Sequence, residues 1–404
     1  MSRPSRREFA KLLAATGAGI ATGAAAPMLA PIAIAQTDPR IVIVGGGAGG
    51  ASVARYLRMG GPDLDITLIE PNRIYSSSFF SNLYLGGIIR SETLNHSYSG
   101  LRRLYIKVVH DLATDVNAAR KTVTTRDGRI YHYDRLVLSP GIDIKYDAIE
   151  GYSRAAARLM PHAYATDAAQ KRLLKRQLKQ MRPGGTVAMV MPSPPYRCPP
   201  APYERACMIA HYLKTRKPRS KLVILDPKRS FAQQPLFEEA FAKYYKNIID
   251  MHLSDEIDDF SVAMLNPRRR EILTRAGKGI RADVANVIPP QRAGVIAARA
   301  GCTDGDWCPV HPESFLSRLV PDIHVLGDAA IAADMPKAAS AAHSQAKMVA
   351  ANILAALTNA GPVEPAYASS CWSLLAPDDA IRMSARYTPQ DGRLEATEVH
   401  ASKT

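Results

Sequence analysis

Cys198 directly follows an arginine in the run Pro192-Ser193-Pro194-Pro195-Tyr196-Arg197-Cys198-Pro199-Pro200-Ala201-Pro202-Tyr203-Glu204-Arg205. A thiol beside a cation is more easily ionised, so Cys198, with Arg197 or Arg205 near it in the chain, suits thiol or disulfide chemistry. The run begins after the apolar strand Val187 to Met191, where a nucleotide-binding βαβ unit carries glycines. A pyrophosphate needs those glycines to reach backbone N–H groups at the following helix. Prolines have no N–H to donate and fill the space with rings. The turn is therefore expected to have lost nicotinamide binding and kept a cysteine.

An earlier turn is intact. Arg40 to Val44 reads as a buried strand, followed by Gly45-Gly46-Gly47-Ala48-Gly49-Gly50 and a helix from about Ala51 to Arg58. Gly45, Gly47 and Gly50 satisfy G-x-G-x-x-G, serving tight turn, pyrophosphate approach and helix packing in that order, with Ala48 among the expected contacts. The next strand, Ile66 to Ile69, ends in Glu70, placed to accept ribose hydroxyl bonds.

Two later segments favour FAD over NAD. Tyr133 to Leu138 is an apolar strand closed by Ser139-Pro140-Gly141, and Asp322 to Leu326 leads into Gly327-Asp328. Pro140 and Gly141 mark the exit into an inserted domain. Gly327 and Asp328 are placed to meet the ribityl or pyrophosphate part of the cofactor, the alternative for Asp328 being a helix N-cap with no ligand. Met335-Pro336-Lys337 opens an Ala-rich helix through Leu357, whose N-terminal partial charge, with Pro336 and Lys337, would face an electron-rich flavin edge.

These elements define an α/β chain of two Rossmann-like domains, the FAD domain interrupted by a degenerate nucleotide-binding domain. Residues 1–35 carry Ser5-Arg6-Arg7-Glu8-Phe9-Ala10-Lys11, a small-residue stretch and Ala33-Ile34-Ala35, the pattern of a twin-arginine signal peptide. The expected divisions are 36–150 and 284–334 for the FAD domain, 151–283 for the insert and 335–404 for a flavin-contacting and interface segment. Asp226 closes the insert's second strand and reads as a strand-end residue. The leader implies export of a folded protein to the periplasm, and no other segment has the roughly 18 apolar residues of a membrane span. The formal charge is +15, but Arg268-Arg269-Arg270 lacks interleaved aromatics, which argues against nucleic-acid binding and leaves an acidic partner or anionic surface as fitting. No metal-ligand pattern stands out.

Five cysteines in an exported chain leave at least one unpaired. Cys207 and Cys371 read as small buried hydrophobes, Cys302 has Cys308 as a local partner, and Cys308 in Trp307-Cys308-Pro309-Val310 lies close in sequence to the flavin strand. No C-x-x-C-H occurs, so the chain itself holds no c-type haem.

On the Gly45–Gly50 turn, Arg197-Cys198-Pro199-Pro200, Pro202-Tyr203-Glu204-Arg205, Ile288-Pro289-Pro290-Gln291-Arg292-Ala293-Gly294, Trp307-Cys308-Pro309-Val310, Gly327-Asp328-Ala329 and Met335-Pro336-Lys337, the chain resembles the flavoprotein subunit of flavocytochrome c sulfide dehydrogenase and its sulfur-oxidation relatives. The resemblance implies oxidation of sulfide to zero-valent sulfur and electron transfer to a c-type cytochrome subunit or soluble cytochrome c. It also implies that Cys198 and Cys308 match the redox-active disulfide and Glu204 the proton-moving acid. Ser78 stands where relatives carry the cysteine that tethers FAD, so non-covalent FAD is expected. The rival expectations are an accessory flavoprotein subunit of a sulfur-oxidation complex and a sulfide:quinone oxidoreductase.

Overall fold

The computed structural model describes residues 38–255 and 259–403; the expected leader lies outside them. In chain order the elements that matter are β1 (Arg40–Val44), α1 (Ala48–Gly60), β2 (Asp65–Ile69), α2 (Ser81–Gly86), β3 (Lys107–Val109) and β4 (Arg135–Leu138). Then come α3 (Ala168–Gln180), β5 (Thr186–Val190), α4 (Ala201–Arg216), β6 (Lys221–Asp226), β7 (Ile249–Leu253) and β8 (Val284–Val287). The chain closes with β9 (Ile323–Val325), α5 (Ala339–Thr358), β10 (Tyr367–Ala376), β11 (Asp379–Gln390) and β12 (Arg393–Lys403).

Two parallel sheets carry the architecture. The first has the order β9-β4-β1-β2-β3 and the second β7-β6-β5-β8. Their central strands are unbroken apolar runs, Ile41 to Val44 and Val187 to Val190, because helices or loops cover both faces. α1 crosses from β1 to β2 and packs against the Ala-rich α5, whose small side chains allow close approach. Gly50 is tied to this geometry: a Cβ there would stand 1.9 Å from the Gly45 carbonyl oxygen, while Gly45 itself has φ +99°.

Two segment expectations change. β8 pairs in parallel with β5, so residues 284–287 complete the inserted sheet and do not begin the returning FAD segment. The return comes at Gln291–Ala293, which pairs antiparallel with Ile142–Ile144. A short apolar strand carries no mark of which parallel sheet it will join, which is why the boundary was misplaced.

The C-terminal segment is a three-stranded antiparallel meander, β10-β11-β12. β10 alternates buried and exposed over Tyr367 to Ser370, the pattern of a strand with one covered face. That face packs on α4 and α5. The Ser340 and Ser344 hydroxyls accept from the Ser370 and Ala368 amides, while the Tyr245 hydroxyl of the inserted domain donates to the Leu375 carbonyl. The meander thus straddles the two sheet systems and forms one wall of the cavity between them. No helix among the described residues is long and apolar enough to cross a membrane.

Replacing Gly50 by alanine should cost about 2 kcal/mol or more, because the opposing atom is backbone and cannot swing away. A melting temperature several degrees lower, together with weaker FAD retention through gel filtration, is the expected result.

Candidate active site

One cavity of about 820 Å³ runs from the Gly45–Gly47 turn to the cysteine loop. Of the expected cofactor contacts, Gly45, Gly47, Ala48, Glu70, Pro140, Gly141, Gly327 and Asp328 line it; Gly50, Pro336 and Lys337 do not. Glu70 accepts from the Gly46 amide at 2.8 Å and from Asn72, and keeps acceptor sites for a hydroxyl because a carboxylate has about four. α1 begins at Gly47 with no side-chain cap and no acidic residue in its first turn, so its leading N–H groups are open to a phosphate. α5 likewise begins at Ala338 without a side-chain cap, and Ala338, Ala339 and Ser340 line the same cavity. Two uncapped helix N-termini facing one cavity, with a glycine cradle between strand and helix, fit an FAD.

Lys337 departs from expectation. Its ammonium donates to the carbonyls of Asp328 and Ala330 and lies 3.8 Å from the centre of the Trp307 ring. Burial pulls its pKa down to about 8, partly offset by Asp328 and Cys308. The helix starts at Ala339, two residues beyond Lys337, which leaves the lysine outside the cofactor cavity as a strut beneath the flavin strand. Asp328 is not an idle cap: its carboxylate accepts from Arg197 Nε at 2.6 Å, both side chains being largely buried. Arg197 Nη1 reaches Ser78 Oγ at 3.3 Å and the Tyr164 carbonyl.

Cys198 has φ +51°, the left-handed region that side chains with a Cβ avoid. Three bonds hold it there. Its amide donates to the Lys337 carbonyl, its carbonyl accepts from Ala201 at the head of α4, and the buried Tyr164 hydroxyl donates to the Arg197 carbonyl at 2.5 Å. The thiol faces the cavity.

Cys308 does not meet Cys198 at the cavity. All five cysteines are free; Cys308 is fully buried beside Cys302 and Lys337 and does not line the cavity. Cys371, on β10, does line it, together with Cys198 and Glu204. Burial pushes the Cys198 thiol well up, and its next strongest influences are Cys371, Glu204 and Asp328. Burial also raises Cys371, against a lowering bond from Ser340 and a further rise from Glu204. Burial pushes Cys308 up to about 12 as well, so its absence from the cavity lining, and not its pKa, sets it apart from Cys198 and Cys371. Cys371 was missed because Ser369-Ser370-Cys371-Trp372 carries no motif, and only the fold of the last strands brings it over the cavity.

Glu204 lines the same cavity and acts on both thiols. Its Oε2 accepts from Asn82 Nδ2 at 2.6 Å and its Oε1 from the Leu374 amide at 3.0 Å. Burial raises its pKa above the usual carboxylate range, opposed by those two bonds and by Arg205. Arg205, expected as a thiolate stabiliser, is instead fully buried and engaged with Asn82, His162, Ala163 and Asn286.

The second nucleotide turn is filled. Lys228 Nζ pairs with Asp226 at 2.5 Å and donates to the Pro192 carbonyl, Tyr203 donates to Asp226 at 2.6 Å, and Phe231 stacks on Tyr203 with ring centres 3.7 Å apart. Asp226 is thus a buried anchor as well as a strand end, and side chains occupy the space that a second dinucleotide would need.

A dinucleotide cradle opening onto two cysteines and a buried carboxylate defines a flavin-dependent oxidoreductase of the disulfide-reductase type. Residues 39–187 match the pyridine nucleotide-disulphide oxidoreductase family, and residues 171–289 match the central part of the sulfide dehydrogenase (flavocytochrome c) flavoprotein chain. The flavoprotein chain of sulfide dehydrogenase (flavocytochrome c) from Chlorobaculum thiosulfatiphilum is 51% identical over 43 residues, 11% of this chain and 90% of that one. The mitochondrial sulfide:quinone oxidoreductase of Dictyostelium discoideum is 28% identical over 185 residues, 45% of this chain and 40% of that one, so the match spans two fifths of that relative's length. The crystal structure of sulfide:quinone oxidoreductase from Aquifex aeolicus shares the fold, with a TM-score of 0.69 at 20% identity over 91% of this chain and 87% of that one. The chain belongs to the flavocytochrome c sulfide dehydrogenase flavoprotein family.

His162, in the cavity wall, gives a pH signature. Its Nδ1 accepts from the Tyr164 amide, so the proton sits on Nε2 beside the Tyr146 hydroxyl, and burial lowers its pKa from 6.5 to about 4. The unfolded chain therefore binds a proton that the folded chain refuses, and stability falls as pH drops through that window, by about 3 kcal/mol at its lower end. Urea unfolding at pH 7 and pH 4.5 should show the loss, and His162→Gln should reduce it.

Proposed function

We propose that this chain is the flavoprotein of a sulfide dehydrogenase, oxidising sulfide to zero-valent sulfur through a Cys198–Cys371 redox pair and passing electrons to a c-type cytochrome. The observation that carries the reading is the convergence of those two cysteines and Glu204 on the dinucleotide cavity, beside a second nucleotide turn that is filled by side chains. Sulfur, not a nicotinamide, is then the electron source.

The chemistry balances on the chain's own groups. In the oxidised pair, hydrosulfide attacks one sulfur; an S–S bond forms to the substrate, the protein disulfide breaks, and one cysteine leaves as thiolate while the other becomes a persulfide. A second hydrosulfide takes the outer sulfur of the persulfide, releasing hydrogen disulfide anion and leaving the protein pair reduced. Bound FAD supplies a two-electron acceptor that can pass electrons on singly to a one-electron carrier. Re-forming the disulfide removes the remaining thiol proton. Burial holds both thiols above their usual range, so a local base is needed, and Glu204, itself raised by burial, is a stronger base than an exposed carboxylate. Arg197, locked to Asp328 and Ser78, fixes the loop that presents Cys198. Ser78 has no thiol for a thioether, so FAD is held non-covalently in this reading. The twin-arginine pattern within residues 1–35 supports a periplasmic location for the mature chain in this reading, and the basic charge suits an acidic electron carrier.

A quinone is the alternative acceptor. Phe79, Phe80 and Trp372 line the cavity with 40%, 57% and 53% of their surfaces exposed, an apolar lip that favours a hydrophobic carrier.

Anaerobic addition of sulfide to FAD-loaded protein should bleach the flavin, and oxidised cytochrome c should restore its absorbance. Reoxidation by a soluble quinone analogue and not by cytochrome c would select the alternative, and bleaching by NADH would overturn both. Cys198→Ser and Cys371→Ser should each slow bleaching by at least about 10³-fold with FAD retained, a loss comparable to removal of a principal catalytic group. Cys308→Ser should leave it near the wild-type rate. A normal rate in Cys371→Ser would sink the assignment of the pair.

A further inference from the structure

Asn82 is not part of any motif, yet it contacts the acid beside the cavity that the two cysteines line. It lies in the short helix α2, beyond the loop that carries Ser78, and is 5% exposed. Its Nδ2 donates to Glu204 Oε2 at 2.6 Å and to the Ala201 carbonyl at 3.0 Å, while its Oδ1 accepts from Arg205 Nε at 3.0 Å. An arginine nitrogen can only donate, so the amide oxygen must face Arg205 and the NH2 must face Glu204. Arg205 cannot swing away, because its other nitrogens donate to the His162 and Ala163 carbonyls and to Asn286 Oδ1.

We propose that Asn82, oriented by Arg205, is the positioning residue for Glu204: it holds one carboxylate oxygen while the Leu374 amide of β10 holds the other, keeping the acid beside the cavity that Cys198 and Cys371 line. This deepens the sulfide-dehydrogenase reading and rests on it for the use to which Glu204 is put. The charged and titratable groups that surround Glu204 are Cys198, Arg205 and Cys207 on its own segment and Cys371 on β10; α2 presents to it only the neutral Asn82. Among them Asn82 is the neutral donor that favours the ionised carboxylate without adding a charge that would disturb the thiols. Burial works against that ionised form, so loss of the Asn82 bond drives the acid further toward its protonated form.

The test is the titration of Glu204 in FAD-loaded full-length protein, read from the infrared band of the protonated carboxyl and assigned by its disappearance in Glu204→Gln. Asn82→Leu and Asn82→Ser should each move the midpoint up by about one pH unit, a tenfold fall in the ionised fraction on the acid side. The serine variant leaves Arg205 an acceptor while being too short to reach Glu204, so it reports even if the leucine variant does not fold. Arg205→Lys, which frees the Asn82 amide to rotate, should shift the midpoint in the same direction by less. A folded Asn82→Ser whose midpoint matches wild type, with only its melting temperature lowered, overturns the proposal and leaves Asn82 a packing residue. A shifted midpoint, when sulfide fails to bleach the flavin of the wild-type protein, upholds the positioning and overturns the sulfide-dehydrogenase reading instead.

Discussion

The buried carboxylate of Glu204 joins three parts of the chain at one point. It belongs to α4 of the inserted domain, it is bonded by α2 of the FAD domain, and it accepts an amide from the C-terminal strand. A carboxylate removed from water costs several kcal/mol unless its lone pairs are taken, so each of these bonds is required by the others. Cys371, three positions before Leu374, lines the cavity that Cys198 also lines. The hold on Glu204 adds to the bonds of β10 with Ser340, Ser344 and Tyr245 that set the meander over that cavity.

The cofactor cradle depends on a separate and more local logic. A glycine turn with positive φ at Gly45, a backbone contact at Gly50 that excludes a side chain, and an uncapped helix head are all written within about ten consecutive residues. The inserted domain repeats the strand-turn-helix plan, but with Asp226, Lys228, Tyr203 and Phe231 consuming the space that a nucleotide would use. One plan binds by leaving room; the other packs by filling it. The Arg197–Asp328 pair ties the two halves together across the cavity.

What could be read from the sequence divides along that line of locality. The Gly45 turn, Glu70, the Pro140-Gly141 exit, Gly327-Asp328 and the proline-filled turn announce themselves because their function depends on neighbours in the chain. Cys198 in the turn before α4 and Glu204 in its first turn are close in the chain, so their proximity was legible as well. Cys371 was not, because its place depends on β10 being laid across two domains by hydrogen bonds from Ser340, Ser344 and Tyr245. Cys308 drew attention through its tryptophan and proline neighbours, which in the structure belong to a buried packing motif under the flavin strand. Lys337 failed for a simpler reason: the helix begins at Ala339, and a shift of two residues at a helix start reverses which way a side chain points.

The meander has a consequence for the order in which the protein becomes competent. Synthesis proceeds from the N-terminus, and the strands of both parallel sheets are complete by Val325, before any residue of β10 exists. A nascent chain at that stage already has its glycine cradle and Cys198, yet lacks the second sulfur and the amide that holds Glu204. In the proposed function, reactivity toward sulfur therefore waits until β10 has been made, and a chain that has not yet reached it is spared that chemistry.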